Sequence, residues 1–164
     1  MKTYKLLTPG PLTTTDSVKQ EMLFDHCTWD EDYKQITQRI RRELLQLAHV
    51  DETAYTTVLM QGSGTFGVES VISSVIPDDG CLLLLSNGAY GERIAAMCRY
   101  HHISCVHIAQ DYDKIPDRMK AEEALKQHPE ITHIAMIHSE TTTGILNDIQ
   151  SIGELAKTYH KVFI

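Results

Sequence analysis

Apolar residues recur along this chain with two different periods. Between 33 and 49, Ile36, Ile40, Leu44 and Leu47 fall three or four positions apart, while Arg39, Arg41, Arg42 and Glu43 mostly occupy the other faces. That spacing predicts an amphipathic helix, with the charges as its solvated surface. A shorter helix is expected over 16–23. The stretch "LLTPGPLTTT" at 6–15 reads as irregular, because two prolines flanking Gly10 interrupt regular hydrogen bonding.

From about residue 55 the pattern changes to short apolar runs separated by helical ones. "AYTTVLM" (54–60), "CLLLLS" (81–86), "SCVHIA" (104–109), "THIAMIHS" (132–139) and "KVFI" (161–164) read as strands. Helices are expected over 65–76, 92–101, 116–128 and 149–159. Such alternation implies an α/β fold, a three-layer α/β/α arrangement with a mostly parallel sheet. Ligands in that architecture sit at the carboxyl ends of strands. The segments to inspect are therefore "QGSGT", "SNGAYG" and "HSETTTG".

Composition narrows the partners. The 164 residues are 42% hydrophobic and 23% charged, and carry a formal net charge of -7, which argues against nucleic acid or an anionic membrane surface. No apolar run approaches the ~20 residues that span a bilayer, and no apolar core of a signal peptide precedes the first proline. A cytoplasmic location is the expectation. Cys27, Cys81, Cys98 and Cys105 lack ligand or redox spacing and read as buried, reduced thiols. Among the 9 histidines only His101 and His102 adjoin, so no metal site is expected. "KVFI" reads as the first half of a buried strand. An unpaired apolar edge is unfavourable, so the chain is expected to be the N-terminal part of a longer polypeptide.

Residues 62–67, Gly-Ser-Gly-Thr-Phe-Gly, match G-x-G-x-x-G between an expected strand and an expected helix. A dinucleotide site also needs an acid at the end of the next strand. Here that strand runs into Ser86, Asn87 and Gly88, with Asp78 and Asp79 at its wrong end. A Walker A loop fails for want of its lysine. What remains is Ser63, Gly64 and Thr65 at a helix start, a set of neutral donors suited to one phosphate monoester. A plain turn with Ser63 or Thr65 as N-cap accounts for the same residues equally well. Gly67 reads as an ordinary helix-packing residue.

The other two segments add to this. Tyr90 offers a ring for stacking on a flat ligand, or simply for packing. Ser139, Glu140, Thr141, Thr142 and Thr143 form a polar cluster suited to a ligand's rim. His138, Ser139 and Glu140 are consecutive and cannot converge as a catalytic triad. Phosphate donors, an aromatic plate and a hydroxyl cluster suggest a flat, phosphorylated cofactor, for which pyridoxal 5'-phosphate is the economical candidate.

With these motifs the chain resembles the fold-type I, class V pyridoxal-phosphate aminotransferases. The carriers are "LLTPGPLTTT", "MLFDHCTWDEDY", "LMQGSGTFGVES", "LLLLSNGAYGER" and "HIAMIHSETTTGILNDI", in order along essentially the whole chain. "TPGP", "GSGT" and "NGAYG" are shared in kind across the class, alanine–glyoxylate and serine–pyruvate enzymes included. "FDHCTWDEDY" and "HSETTTG" draw the likeness toward members that pass the amino group of 2-aminoethylphosphonate to pyruvate in phosphonate catabolism.

The resemblance implies an aspartate aminotransferase-like large domain, incomplete over 31–164, with residues 1–30 as a lead-in segment contributing to the active site. It implies Ser63, Gly64 and Thr65 as ligands of the cofactor phosphate, Tyr90 as the stacking aromatic and Thr141 at the ring's rim near its phenolic oxygen. Pro9 and Gly10 would border the substrate pocket, and a homodimer is implied. The family's Schiff-base lysine, pyridine-nitrogen aspartate and substrate-gripping arginine match nothing here and are expected beyond Ile164. No catalytic residue is therefore expected within these residues, and the stretch alone is expected to be inactive. Two other readings stay open: another class V aminotransferase, or, if the 164 residues are complete, a non-catalytic phosphate-ligand-binding or dimerising domain.

Overall fold

A single strand, Cys81–Ser86 (β1), is buried at every position, and the unit Gly64–Ile164 is assembled around it. The structure, a computed structural model, describes residues 4–8 and 10–164. It divides into two compact units, Met1–Ser63 and Gly64–Ile164, which are taken in turn.

The first unit contains α1 (Asp16–Glu21) and α2 (Glu31–Leu47). The stretch around Gly10 is irregular, as its prolines dictate, and is closed by a single bridge between Leu7 and Leu12. The helix predicted over 33–49 forms, but its apolar face is not covered within this unit. Ile36, Ile40, Leu44 and Leu47 are 52%, 39%, 40% and 75% exposed, respectively. The side of α2 turned inward carries Thr37, Arg41 and Leu45 instead. Arg41 is not simply a solvated charge: Nε donates to the Thr57 carbonyl at 3.0 Å and Nη2 to Thr56 Oγ1 at 2.7 Å. The Thr57 hydroxyl returns a 3.0 Å bond to the Arg41 carbonyl. This fixes 54–60 against the helix side chain by side chain. The strand expected there does not form, because no ladder partner lies beside it among the described residues, and Tyr55 and Val58 remain exposed.

The second unit is the α/β structure that the alternating pattern predicts. Its helices are α3 (Gly64–Val75), α4 (Ala89–Tyr100), α5 (Arg118–Gln127) and α6 (Ile149–Thr158). With β2 (Ser104–Ala109), β3 (His133–Met136) and β6 (Val162–Phe163), β1 forms a four-stranded sheet in the order β2-β1-β3-β6. Every pairing in it is parallel. A small antiparallel hairpin, β4 (Ser139–Glu140) and β5 (Ile145–Leu146), lies between β3 and α6.

Side-chain alternation along β1 makes the three layers. Leu82 and Leu84 point to Ile72 and Ile76 of the α3 region and to Ile94, Ala95 and Cys98 of α4. Cys81, Leu83 and Leu85 point the other way, to Ala121, Ala124 and Leu125 of α5 and Ile152, Leu155 and Ala156 of α6. A strand that feeds both faces must be apolar at every position, which is why "CLLLL" carries no alternation of its own.

Two local features differ from the sequence pattern. Helix α4 starts at Ala89 rather than near 92, so Tyr90 sits in its first turn and not in a loop. Gly67 does not pack closely: a Cβ added there would meet nothing, and the residue borders an apolar hollow of 380 Å³ shared with Val68, Val71, Ile94 and Ile164. The four cysteines are free, and Cys27 is exposed rather than buried. No helix among the described residues is long and apolar enough to cross a membrane.

Candidate functional site

The chain leaves β1, crosses α4 to β2 on one side, then returns over α5 to β3 on the other side of β1. The crevice between the carboxyl ends of β1 and β3 is thus the point where the winding reverses, the usual place for a ligand in an open parallel sheet. Residues 86–90 emerge from β1 here, and 137–142 from β3.

The floor of the crevice is a reciprocal amide pair. Asn87 Nδ2 donates to Asn147 Oδ1 at 2.8 Å, and Asn147 Nδ2 donates to Asn87 Oδ1 at 3.0 Å. Their remaining donors reach the Lys114 carbonyl at 2.9 Å and the Ile137 carbonyl at 2.7 Å. Both side chains are buried, and with every donor used they carry no desolvation debt. Beside them Ser86 Oγ lies 2.7 Å from His107 Nε2. Burial lowers the His107 pKa, the Arg99 charge adding to this and the Glu92 charge opposing it, so the ring is neutral at pH 7.

Above this floor stands Glu140, a carboxylate with no exposure at all. Its Oε1 accepts from the Thr142 hydroxyl at 2.7 Å, the Thr142 N–H at 3.1 Å and the Tyr90 N–H at 3.4 Å; Oε2 accepts from the Gly91 N–H at 3.3 Å. Burial works against its charge, but these hydrogen bonds outweigh it and hold the carboxyl below its ordinary value. Gly88 makes the room, since a Cβ there would fall on the Glu140 carboxyl group. The hairpin turn that delivers Glu140 depends on Gly144, whose φ of 75° is open to glycine at little cost.

Arg93 spans the other side. Its Nη1 donates to Thr65 Oγ1 at 2.9 Å, and its guanidinium lies 5.0 Å from the centre of the Tyr90 ring. Thr65, in the first turn of the twelve-residue α3, and Tyr90, in the first turn of α4, are thereby brought to one patch. Thr141 joins them through its neighbours: Glu140 bonds Tyr90, and Thr142 Oγ1 accepts from the Ala89 N–H at 3.1 Å. The Thr141 side chain itself is exposed, and its hydroxyl makes no hydrogen bond among the described residues.

Of the residues singled out from the sequence, Gly64, Thr65, Tyr90 and Thr141 belong to the second unit, where Arg93 links Thr65 to Tyr90 and Glu140 links Tyr90 to the turn that carries Thr141. Nothing lies within 4 Å of a Cβ built on Gly64 at the start of α3. Ser63 closes the first unit, immediately before α3, and Gly10 lies exposed in an irregular bend of that unit. Pro9 lies outside the described residues.

Two residues that organise the crevice went unread. Arg93 follows Tyr90 by three positions, a spacing that puts a cation and an aromatic on one helix face. Glu140 stands in the sequence as one member of a polar cluster. Its signal was a lone carboxylate directly after a buried strand, two positions before a threonine.

Comparison with known proteins bears on the family and the fold. The family profile described as aminotransferase class-V matches residues 25–164. A 2-aminoethylphosphonate–pyruvate transaminase of Lysinibacillus sphaericus is 55% identical over 164 residues, covering 100% of this chain and 45% of the relative. One from Bacillus cytotoxicus is 53% identical over 161 residues, covering 98% and 44%. Among solved structures, pyridoxamine–pyruvate aminotransferase from Mesorhizobium loti superimposes with a TM-score of 0.85 at 23% identity, over 98% of this chain and 41% of that one. Alanine–glyoxylate aminotransferase from Nostoc sp. gives 0.82 at 20% identity, over 99% and 45%. At such identities these two report the shared fold alone. The chain spans less than half the length of the curated relatives it matches.

Proposed function

The chain belongs to the class-V aminotransferase family, and from that premise we propose that it is the cofactor-cradling N-terminal part of a transaminase. The reaction is transfer of the amino group of 2-aminoethylphosphonate to pyruvate, giving phosphonoacetaldehyde and alanine. The substrate assignment draws on the relatives' names and their 53–55% identity over nearly all of this chain. The observation that carries the cofactor reading is Arg93, whose contacts with Thr65 Oγ1 at 2.9 Å and the Tyr90 ring at 5.0 Å bring a phosphate donor and a stacking ring together.

The residues present suit pyridoxal 5'-phosphate. Ser63, Gly64 and Thr65 would hold its phosphate at the start of α3, where the helix dipole favours an anion. Tyr90 would stack on the pyridine ring, and the Thr141 hydroxyl would bond the rim near the phenolic oxygen. When bound, the cofactor supplies the electron sink that lets the carbon bearing the amine lose its proton.

This chain's own part is positional. Thr65 and the first turn of α3 fix one end of a flat ligand. Tyr90 fixes its plane, and the 139–143 turn orients its polar edge. Such pre-organisation is what keeps a reacting carbon aligned with the groups that move its proton. Those groups, and the amine that anchors the cofactor, would lie beyond this chain, as the family resemblance implies. Residues 1–30, with Pro9 and Gly10, would border the substrate. The active protein would be a homodimer, as the family resemblance implies, and cytoplasmic, in keeping with its free cysteines.

The test is spectroscopic. The protein carrying this chain and the segment its relatives place after it should be yellow, with a visible absorption band that borohydride abolishes. A colourless protein that gains no band on adding pyridoxal 5'-phosphate would overturn the reading.

A further inference from the structure

The geometry points to Glu140 as the positioning residue that locks the Tyr90 ring plate to the Thr141 rim, so that both meet the cofactor as one rigid unit. The inference rests on the cofactor reading above and extends it to a residue that touches no ligand.

Helix α4 begins with backbone N–H groups that its own turns leave unpaired, and its N-cap, Gly88, supplies no side chain to bond them. Three consecutive ones are satisfied from the 140–142 turn. Thr142 Oγ1 accepts from Ala89, and Glu140 accepts from Tyr90 and Gly91. The cap of α4 is thus delivered from 49 to 53 positions later in the chain. Thr142 is tied back to the same carboxylate by both its hydroxyl and its N–H. Thr141 is trapped between the two residues that make these bonds.

A fully buried carboxylate is costly unless compensated, and no lysine or arginine forms an ion pair with Glu140 among the described residues. Its compensation is the positive end of α4 together with four donors. The sequence is arranged around it as well. A side chain at 88 would displace the carboxyl, and a Cβ at Gly91 would come within 2.5 Å of Ser86 Cβ. Two glycines therefore let α4 start close enough for the carboxylate to reach its N–H groups.

An apolar core could have held α4 and β3 together without any charge. What the carboxylate adds is direction: it fixes the Tyr90 backbone relative to the Thr141 turn in a single register. Glu140→Gln keeps the shape but turns one acceptor into a donor, which must face an N–H or a hydroxyl that already donates.

The experiment compares wild type, Glu140→Gln and Thr142→Val in the protein that carries the following segment, titrated with pyridoxal 5'-phosphate. Both variants should bind the cofactor about tenfold more weakly, from the loss of charge-assisted bonds that orient the site. At saturating cofactor their visible circular dichroism per bound cofactor should also differ from wild type, because the ring sits at an altered angle. A purely structural role would lower the unfolding midpoint and leave that signal unchanged, which would overturn the inference. Should Glu140→Gln fail to fold, Thr142→Val, which keeps the buried carboxylate, decides on the same readout. Failure of the wild type to bind the cofactor would instead overturn the cofactor reading itself.

Discussion

Arg93 donates a 2.9 Å hydrogen bond to the hydroxyl of Thr65, so a residue from the second turn of α4 completes the mouth of α3. The bond links the ends of two helices that share one face of the sheet. It leaves Thr65 Oγ1 with its own proton to donate, which is what an anion at the start of α3 would use.

Thr65→Ala removes that donor. We expect cofactor retention to fall by roughly tenfold to a hundredfold, the effect of losing a bond to a charged group. Fold stability should change by less than about 1 kcal/mol, since the site is only half-buried. Equilibrium dialysis with the cofactor, set beside urea unfolding, separates the two effects. Equal losses in both would make Thr65 a helix cap and no more.

The Asn87–Asn147 pair predicts the opposite pattern. Asn147→Ala leaves Asn87 with one unpaired donor and one unpaired acceptor at a buried site, and frees the Ile137 carbonyl. The expected cost is at least about 3 kcal/mol, at about 1–3 kcal/mol for each of these three buried groups left unsatisfied. Chemical unfolding measures it directly, and a loss under about 1 kcal/mol would mean that water replaces the amide.

Glu140 gives a pH dependence of definite sign. Burial raises its pKa, but the bonds from Thr142, Gly91 and Tyr90 lower it further, so the folded value lies below the ordinary 4.5. A depressed carboxyl contributes stability that is fully present above the unfolded value and is lost as pH falls through the folded one. Unfolding free energy should therefore fall as the pH drops through the ordinary value of 4.5 towards the lower folded one, and Glu140→Gln should flatten part of that drop. An identical slope in the variant would exclude Glu140 as its source.

The second unit was legible because its code is local. "CLLLLS", "SCVHIA" and the helical spacings around them each state their own element, and parallel order follows from alternation. "AYTTVLM" misled for the same reason. It has the residues of a strand, but a strand exists only with a partner, and partners are not written in the segment itself. The amphipathic spacing of Ile36, Ile40 and Leu44 states a helix face, but not what covers it, and within the first unit those residues stay exposed. In the candidate site, Thr65, Tyr90 and Thr141 could be picked out singly as strand-end residues. Arg93 and Glu140, which join them, act across 28 and about 50 positions of chain. No sequence window of helical or strand period spans such distances.

The most direct measurement of the central claim is amino transfer by the protein carrying this chain and its following segment, loaded with pyridoxal 5'-phosphate. Supplied with 2-aminoethylphosphonate and pyruvate, it should form alanine and phosphonoacetaldehyde in equal amounts, and faster than it uses alanine with glyoxylate. No alanine from the phosphonate, with brisk turnover of alanine and glyoxylate, would contradict the substrate assignment and leave only the family.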